Sequence, residues 1–182
     1  MNFILASASP RRKQILEDAG FTFNVIPSLT IEPPFWGDDV YKYVEFLANL
    51  KAFDVFKKHG GVVLGADTVV WFNGKIFGKH KNKEDAIKTL KLLSGNTHEV
   101  ITGYNVISRN LNFLSHEVTK VTFNLLSYED ILSYVESGLP LGKAGSYGIQ
   151  DGYNLVKSIE GSYSNVVGLP IEKISKILRE IK

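Results

Sequence analysis

Apolar and polar positions alternate along the chain with two different periods, and the switches between them predict short strands and helices in turn. Phe3-Ile4-Leu5-Ala6 is an apolar run of strand type. A helix follows, opened by Ser9 as N-cap and Pro10 at the first helical position, striped by Ile15, Leu16 and Ala19, and stopped at Gly20. Phe21 to Ile26 predicts a second strand, Pro27 to Gly37 a loop with two consecutive prolines, and Asp38 to Lys58 a long helix with Val40, Val44, Leu47 and Val55 on its apolar side. After Gly60-Gly61, the apolar run Val62 to Phe72 turns at Asn73-Gly74 into Lys75-Ile76-Phe77, the signal of a hairpin. Ala86, Ile87, Leu90 and Leu93 mark a helix from Glu84 to Leu93, and Val100 to Phe123 is rich in strand formers. Ser127 to Ser137 predicts another helix, Gly138 to Gly152 a glycine-rich loop, and Tyr153 to Ile159 a strand. Gly161 to Asn165 reads as a small-residue turn that caps a short helix before Gly168-Leu169-Pro170, and Ile171, Ile174, Leu178 and Ile181 stripe a last helix. Strands alternating with helices, together with antiparallel hairpins, predict a mixed α/β sheet covered on both faces.

Composition narrows this picture. At 182 residues with 44% apolar content the chain suits one domain over 1–182, or two small lobes sharing a core. With 21 basic against 19 acidic residues and no face-long basic run, a general nucleic-acid binder is not expected. Without cysteine there is neither a disulfide framework nor a thiolate zinc site, and His59, His80, His98 and His116 lack metal-ligand spacing. A reducing cytoplasm fits this usage, and no apolar run has the length of a membrane span or the flanks of a signal peptide.

Candidate chemistry gathers in three places. Ser7-Ala8-Ser9-Pro10-Arg11-Arg12 sets free backbone N–H groups, the positive end of a helix dipole and two arginines at one strand-to-helix turn. Cations are unfavourable there unless an anion offsets them, so a phosphate site competes with a merely solvated basic turn. Gly65-Ala66-Asp67-Thr68 then places a carboxylate inside an otherwise apolar strand. Buried alone it would cost several kcal/mol, so it should meet a metal, a cation or a hydrogen-bonding network. Hard oxygen ligands point to magnesium held by one or two carboxylates and by substrate phosphates, with Glu32 as the candidate second ligand and Lys51 and Lys79 as candidate cations. In the third place, Lys143 to Gly152, glycines permit close approach of a ligand to the backbone, and Gln150 offers both donor and acceptor to a base.

These stretches carry a family resemblance. Leu-Ala-Ser-x-Ser-Pro-Arg-Arg, Gly-Ala-Asp-Thr-Val-Val, Leu-Ser-Gly-x-x-His-x-Val-x-Thr-Gly and Ala-Gly-x-Tyr-Gly-Ile-Gln occur in the order in which the Maf family has them, and the likeness runs the whole chain. The chain resembles the nucleoside triphosphate pyrophosphatases of that family, and Arg11 with Tyr147-Gly148-Ile149-Gln150 resembles the branch acting on dTTP and UTP more than the branch acting on 7-methyl-GTP. The resemblance implies an inosine triphosphate pyrophosphatase-like α/β fold, a mixed twisted sheet flanked by helices with two lobes around a central cleft. It implies Asp67 as proton acceptor and Lys79 as a catalytic cation, with Arg11, Thr68 and Gln150 setting specificity. Ser7, Ser9, Arg12, Lys51 and Lys79 match phosphate-contacting positions, and Glu32 with Asp67 matches a site for a divalent metal, magnesium or else manganese. Whether Asp67 serves as base, as metal ligand or as both stays open at this stage. A cytoplasmic homodimer is implied, with Phe35 and Trp36 as candidate interface aromatics and neither nucleic acid nor membrane as partner. The alternatives are a non-catalytic nucleotide-binding regulator of septum formation and cell division, or a pyrophosphatase for other non-canonical nucleotides. Three positions depart from the family pattern: His80 stands where proline is usual, Gly142 where aspartate is usual, and Asp151 where glycine is usual.

Overall fold

The computed structural model describes residues 2–37, 39–80 and 82–181. The first strand, β1 (Asn2–Leu5), leads into α1 (Pro10–Asp18), where the Ser9 side chain accepts from the Arg12 backbone N–H as expected of an N-cap. β2 (Thr22–Val25) follows, and after the proline loop comes α2 (Val40–His59), capped by Asp39 and closed by Gly60. The expected start of that helix at Asp38 lies outside the described residues. β3 (Val63–Phe72) and β4 (Lys75–Phe77) form the hairpin, with Asn73 and Gly74 both at positive φ, 48° and 74°, as a two-residue turn of this hand requires.

α3 (Lys83–Leu93), β5 (Thr97–Ile107), β6 (Asn112–Phe123), α4 (Tyr128–Glu136), β7 (Val156–Glu160), α5 (Tyr163–Val167) and α6 (Ile171–Glu180) complete the order. The strand-rich stretch from Val100 begins three residues earlier than its pattern predicts, because Thr97, His98 and Glu99 join β5. Their polarity hides the strand, but Thr97 meets Thr122 across strands at 2.8 Å and His98 is buried. β7 starts at Val156 rather than Tyr153, since Tyr153 to Leu155 is consumed by a tight turn in which Leu155 N–H donates to the Tyr153 carbonyl. The turn expected over Gly161 to Asn165 is shorter than predicted: helix α5 already begins at Tyr163.

The sheet is mixed and seven-stranded, in the order β2-β1-β3-β5-β6-β7 with β4 on β3. β1 runs parallel to β2 and β3, while the β3–β4 and β6–β7 pairs are antiparallel. The chain divides into two units, Met1–Thr68 with Thr102–Glu117 and Ser164–Lys182, and Val69–Ile101 with Val118–Tyr163. β3, β5 and β6 each contribute residues to both.

In the first unit the period of two along β3 assigns its residues to opposite faces. Leu64 and Ala66 pack with Phe3, Leu5, Leu16, Tyr104, Leu169 and Ile174, the side covered by α1 and α6. Val63 packs instead with Ala52 and Val55 of α2. On that side helix and sheet are in backbone contact: a Cβ on Gly65 would come within 2.5 Å of the Ala48 carbonyl and 2.7 Å of the Ala52 nitrogen, and one on Gly103 would strike the Val44 carbonyl. Glycine is demanded by proximity here, and α2 is thereby held in one register against β3 and β5. In the second unit α3 packs on α4, and Lys83 is paired with Glu136 across them at 2.7 Å.

Candidate active site

The alternation along β3 has a direct chemical result, because Asp67 and Thr68 are consecutive and meet different helices. Asp67 lies on the α2 side, where Lys51 Nζ approaches its Oδ1 at 2.5 Å. The same ammonium reaches Glu32 Oε1 at 2.6 Å, so one cation is shared by two carboxylates whose oxygens converge on it. The side chains of Asp67 and Lys51 are 8% and 12% exposed, and that of Glu32 is 45% exposed. The charge that looked anomalous in an apolar strand is therefore paired, as a buried carboxylate must be.

Glu32 sits on the proline loop, and α2 holds that loop at two further points. Tyr43 donates its hydroxyl to the Pro33 carbonyl at 2.9 Å. Asp54 accepts from the Ser28 hydroxyl at 2.9 Å and from the Leu29 N–H at 3.3 Å, and is itself paired with Lys58 at 2.6 Å. The Lys58 ammonium and these donors hold the Asp54 carboxyl below its ordinary range. Burial, then the charges of Asp67 and Glu32, push the Tyr43 hydroxyl upward. Neither Tyr43 nor Asp54 stands out in the sequence: a tyrosine and an aspartate on an amphipathic helix look like any half-exposed pair. Trp36 and Phe35, the candidate interface aromatics, both pack edge-on against Tyr43, and Trp36 remains 50% exposed.

Thr68 faces the other way, toward α1. Arg12 is buried there, donating Nε–H to the Gly168 carbonyl at 2.8 Å, Nη1–H to Ser7 Oγ at 3.0 Å and Nη2–H to Thr68 Oγ1 at 3.0 Å. All three partners are neutral, and among the described residues no carboxylate forms an ion pair with Arg12. Burial draws its pKa below the ordinary value, against the pull of Asp67 and with a smaller contribution from neighbouring Arg11. Two of its five N–H donors lie outside these bonds, which leaves a desolvated guanidinium with capacity for an anion. Thr68 also shares a hydrogen bond with Thr102 at 2.9 Å, and Thr102 donates to the Asn165 carbonyl at 3.3 Å. Thr102 was legible as the threonine of the Thr-Gly motif but carried no assigned role. Arg11 is half-buried beside Arg12, and it is Arg12 that touches Thr68.

Ser7, Ser9, Arg11, Arg12, Glu32, Lys51, Asp67 and Thr68 thus belong to the first unit, whereas Lys79 and Gln150 belong to the second. There Lys79 and Ala144 form an isolated antiparallel bridge, and Gly145 N–H donates to the Phe77 carbonyl at 3.0 Å, so the glycine-rich loop is laid against the end of β4 and the residues that follow it. Gln150 is exposed on that loop. His80 bonds Thr89 of α3 through Nε2 at 2.8 Å and accepts the Gly142 N–H on its carbonyl, so the residue standing where proline is usual has a structural partner. Behind the loop His98 bonds the Tyr147 hydroxyl at 2.8 Å, and burial pushes its pKa down to about 4.

The first unit thus carries a paired, buried carboxylate on the α2 side of β3 and an arginine with donors to spare on the α1 side. The chain is 46% identical over 183 residues to a dTTP/UTP pyrophosphatase of Aquifex aeolicus, an alignment covering 100% of this chain and 96% of that protein. It is 46% identical over 177 residues to a dTTP/UTP pyrophosphatase of Bacillus pumilus, covering 96% and 94%. The solved structure of the Staphylococcus aureus Ham1 protein aligns over 100% of both chains with a TM-score of 0.54 at 15% identity, a likeness of fold alone. The family model described as Maf-like protein matches residues 2–181, and the chain belongs to the Maf family.

Proposed function

We propose that the chain is a nucleoside triphosphate pyrophosphatase that hydrolyses dTTP and UTP to the nucleoside monophosphate and pyrophosphate. The observation that carries this reading is the buried Asp67 carboxylate, held through one oxygen by an ammonium that it shares with Glu32. Its second oxygen accepts the proton of a water molecule that attacks the α-phosphorus, and the bond from that phosphorus to the bridging oxygen of pyrophosphate breaks. Arg12, with two N–H donors to spare, binds phosphate oxygens together with Ser7, Ser9, Arg11 and the first backbone N–H groups of α1. Lys51 adds cationic charge against the departing pyrophosphate, and Thr68, fixed by Arg12 and Thr102, serves specificity. In the second unit, Lys79 is the candidate catalytic cation and Gln150 the candidate contact to the pyrimidine.

The pair Glu32 and Asp67 fits a divalent metal: two carboxylate oxygens already converge on one cation, the donor type that magnesium or manganese takes. Such an ion, when bound, neutralises phosphate charge and lowers the pKa of water. A homodimer belongs to the same reading, supported by the exposed rings of Trp36, Phe46 and Phe53, and a monomer mass in light scattering would remove it.

The test is pyrophosphate release from dTTP, UTP, CTP, GTP, ATP and 7-methyl-GTP in magnesium, beside an Asp67→Asn control. Release from dTTP and UTP that falls by about 10²–10⁴-fold in the variant is expected of a lost general base. Undiminished turnover in Asp67→Asn would remove Asp67 from the reaction, and preference for another base would reassign the pocket.

A further inference from the structure

The loop that carries Gln150 is closed on itself by charge. Lys143 and Asp151 stand at its two ends, with side chains 13% and 11% exposed, and the Lys143 ammonium contacts both oxygens of the Asp151 carboxylate. Tyr134 of α4 donates its hydroxyl to Asp151 Oδ2 at 2.5 Å, and the same hydroxyl oxygen accepts the Gly148 N–H at 2.9 Å. The backbone repeats the connection, with Asp151 N–H donating to the Gly148 carbonyl at 3.1 Å. Residues 148 and 151 are therefore tied through main chain and side chain together, and Gln150 lies between them.

Two further features show that the closure is built in. A Cβ on Gly148 would lie 2.6 Å from Asp151 Oδ2 and 2.7 Å from Oδ1, so the carboxylate takes its place only because residue 148 is glycine. Ser146, fully buried, holds φ at 56°, a conformation a side chain adopts only when its surroundings impose it. The sequence departures at 142 and 151 also explain each other. Gly142 gives Lys143 no acidic neighbour in the chain, and Asp151 supplies that carboxylate from across the loop. Because Ala144 is bridged to Lys79, the clamp anchors one end of the loop to the backbone of one candidate cation while it fixes the backbone at the candidate base reader.

We propose that Asp151 is a positioning residue that sets base specificity: with Lys143 and Tyr134 it holds the loop in one conformation, so that the Gln150 amide meets the base without paying the cost of ordering the loop. This rests on the reading of Gln150 as the residue that contacts the base. Asp151 acts through the loop, because its own carboxylate is taken by Lys143 and Tyr134.

The experiment takes the purified full chain with magnesium and compares wild type, Asp151→Asn, Asp151→Gly, Gly148→Ala, and Gly148→Ala combined with Asp151→Gly. Kinetics on dTTP, UTP and CTP are measured alongside backbone hydrogen exchange across 143–151. Asp151→Asn keeps the shape and removes the negative charge that pairs with Lys143. It is expected to raise KM for dTTP and UTP about tenfold with kcat changed by less than about twofold, to narrow the preference over CTP, and to speed exchange in the loop. Gly148→Ala should do the same, and with Asp151→Gly added the alanine should cause no further loss, because the carboxylate it strikes is gone. Unchanged KM and exchange in Asp151→Asn, or kcat lowered equally for every nucleotide, would overturn the role given to Asp151. A wild type that releases no pyrophosphate would overturn the proposed reaction and the base contact with it, a result that loop exchange in the variants cannot mimic.

Discussion

Replacing Lys51 by methionine keeps the hydrocarbon stem and deletes the ammonium that Asp67 and Glu32 share. The two contacts are of unequal worth. Glu32 is 45% exposed, so its limb of the bridge is screened and contributes no more than about 1 kcal/mol. Asp67 is 8% exposed against a Lys51 that is 12% exposed, and removing one member of such a pair leaves a charge that nothing solvates, at a cost of about 3–5 kcal/mol. In urea, with a slope near 2 kcal/mol per molar, this lowers the unfolding midpoint of the metal-free protein by about 2 M. Two controls follow from the same geometry. Asp67→Asn in the Lys51→Met background should recover much of the loss, because the uncompensated charge goes, and magnesium should stabilise Lys51→Met more than wild type, because an ion then takes over from the ammonium. Denaturation curves in EDTA and in magnesium read out both. A Lys51→Met protein within 1 kcal/mol of wild type in EDTA, or costs of the two substitutions that simply add, would refute the idea that Lys51 is what makes a buried Asp67 tolerable.

Asp54→Ala frees the Ser28 end of the proline loop and should raise the magnesium concentration for half-maximal turnover roughly fivefold, the equivalent of about 1 kcal/mol of loop ordering, with little change in kcat at saturation; an unaltered magnesium titration would show that Glu32 is positioned without it. His98 gives an acid sensitivity. Between its ordinary value of 6.5 and its folded value of about 4 the unfolded chain binds a proton that the folded chain refuses. Stability therefore falls on acidification across that window, by about 3 kcal/mol in full. His98→Gln should flatten that slope in unfolding curves taken at pH 4 and 6.5, and equal slopes would count against it. Gly65→Ala forces a methyl to within 2.5 Å of the Ala48 carbonyl and should cost about 1–3 kcal/mol or more by thermal unfolding, whereas a neutral result would mean α2 can retreat from the sheet.

Local chemistry was readable residue by residue. Ser9-Pro10 announces the start of α1, Asn73-Gly74 announces the hairpin, and Asp67 stands out because a carboxylate interrupts an apolar strand. What joins these pieces over long range was not. Nothing near Lys51 in the chain indicates that its ammonium pairs with both Asp67 and Glu32, since that depends on α2 lying in backbone contact with β3. Tyr43 and Asp54 hold the Glu32 loop through contacts set by the same packing. His98 was lost for the opposite reason: its polarity reads as loop, yet its ring is enclosed by Phe123 and Tyr147.

The alternation of Asp67 and Thr68 makes β3 a reading frame. Inserting one residue between Gly65 and Asp67, or deleting Ala66, would turn the carboxylate toward Arg12 and the hydroxyl toward Lys51, exchanging the partners of both while leaving composition almost untouched. Point substitutions can therefore tune the α1 side and the α2 side separately, but drift in strand length has no intermediate that keeps either. Among homologous chains, length changes should accumulate in the loops and be excluded from these four positions, whatever happens to the base each chain prefers.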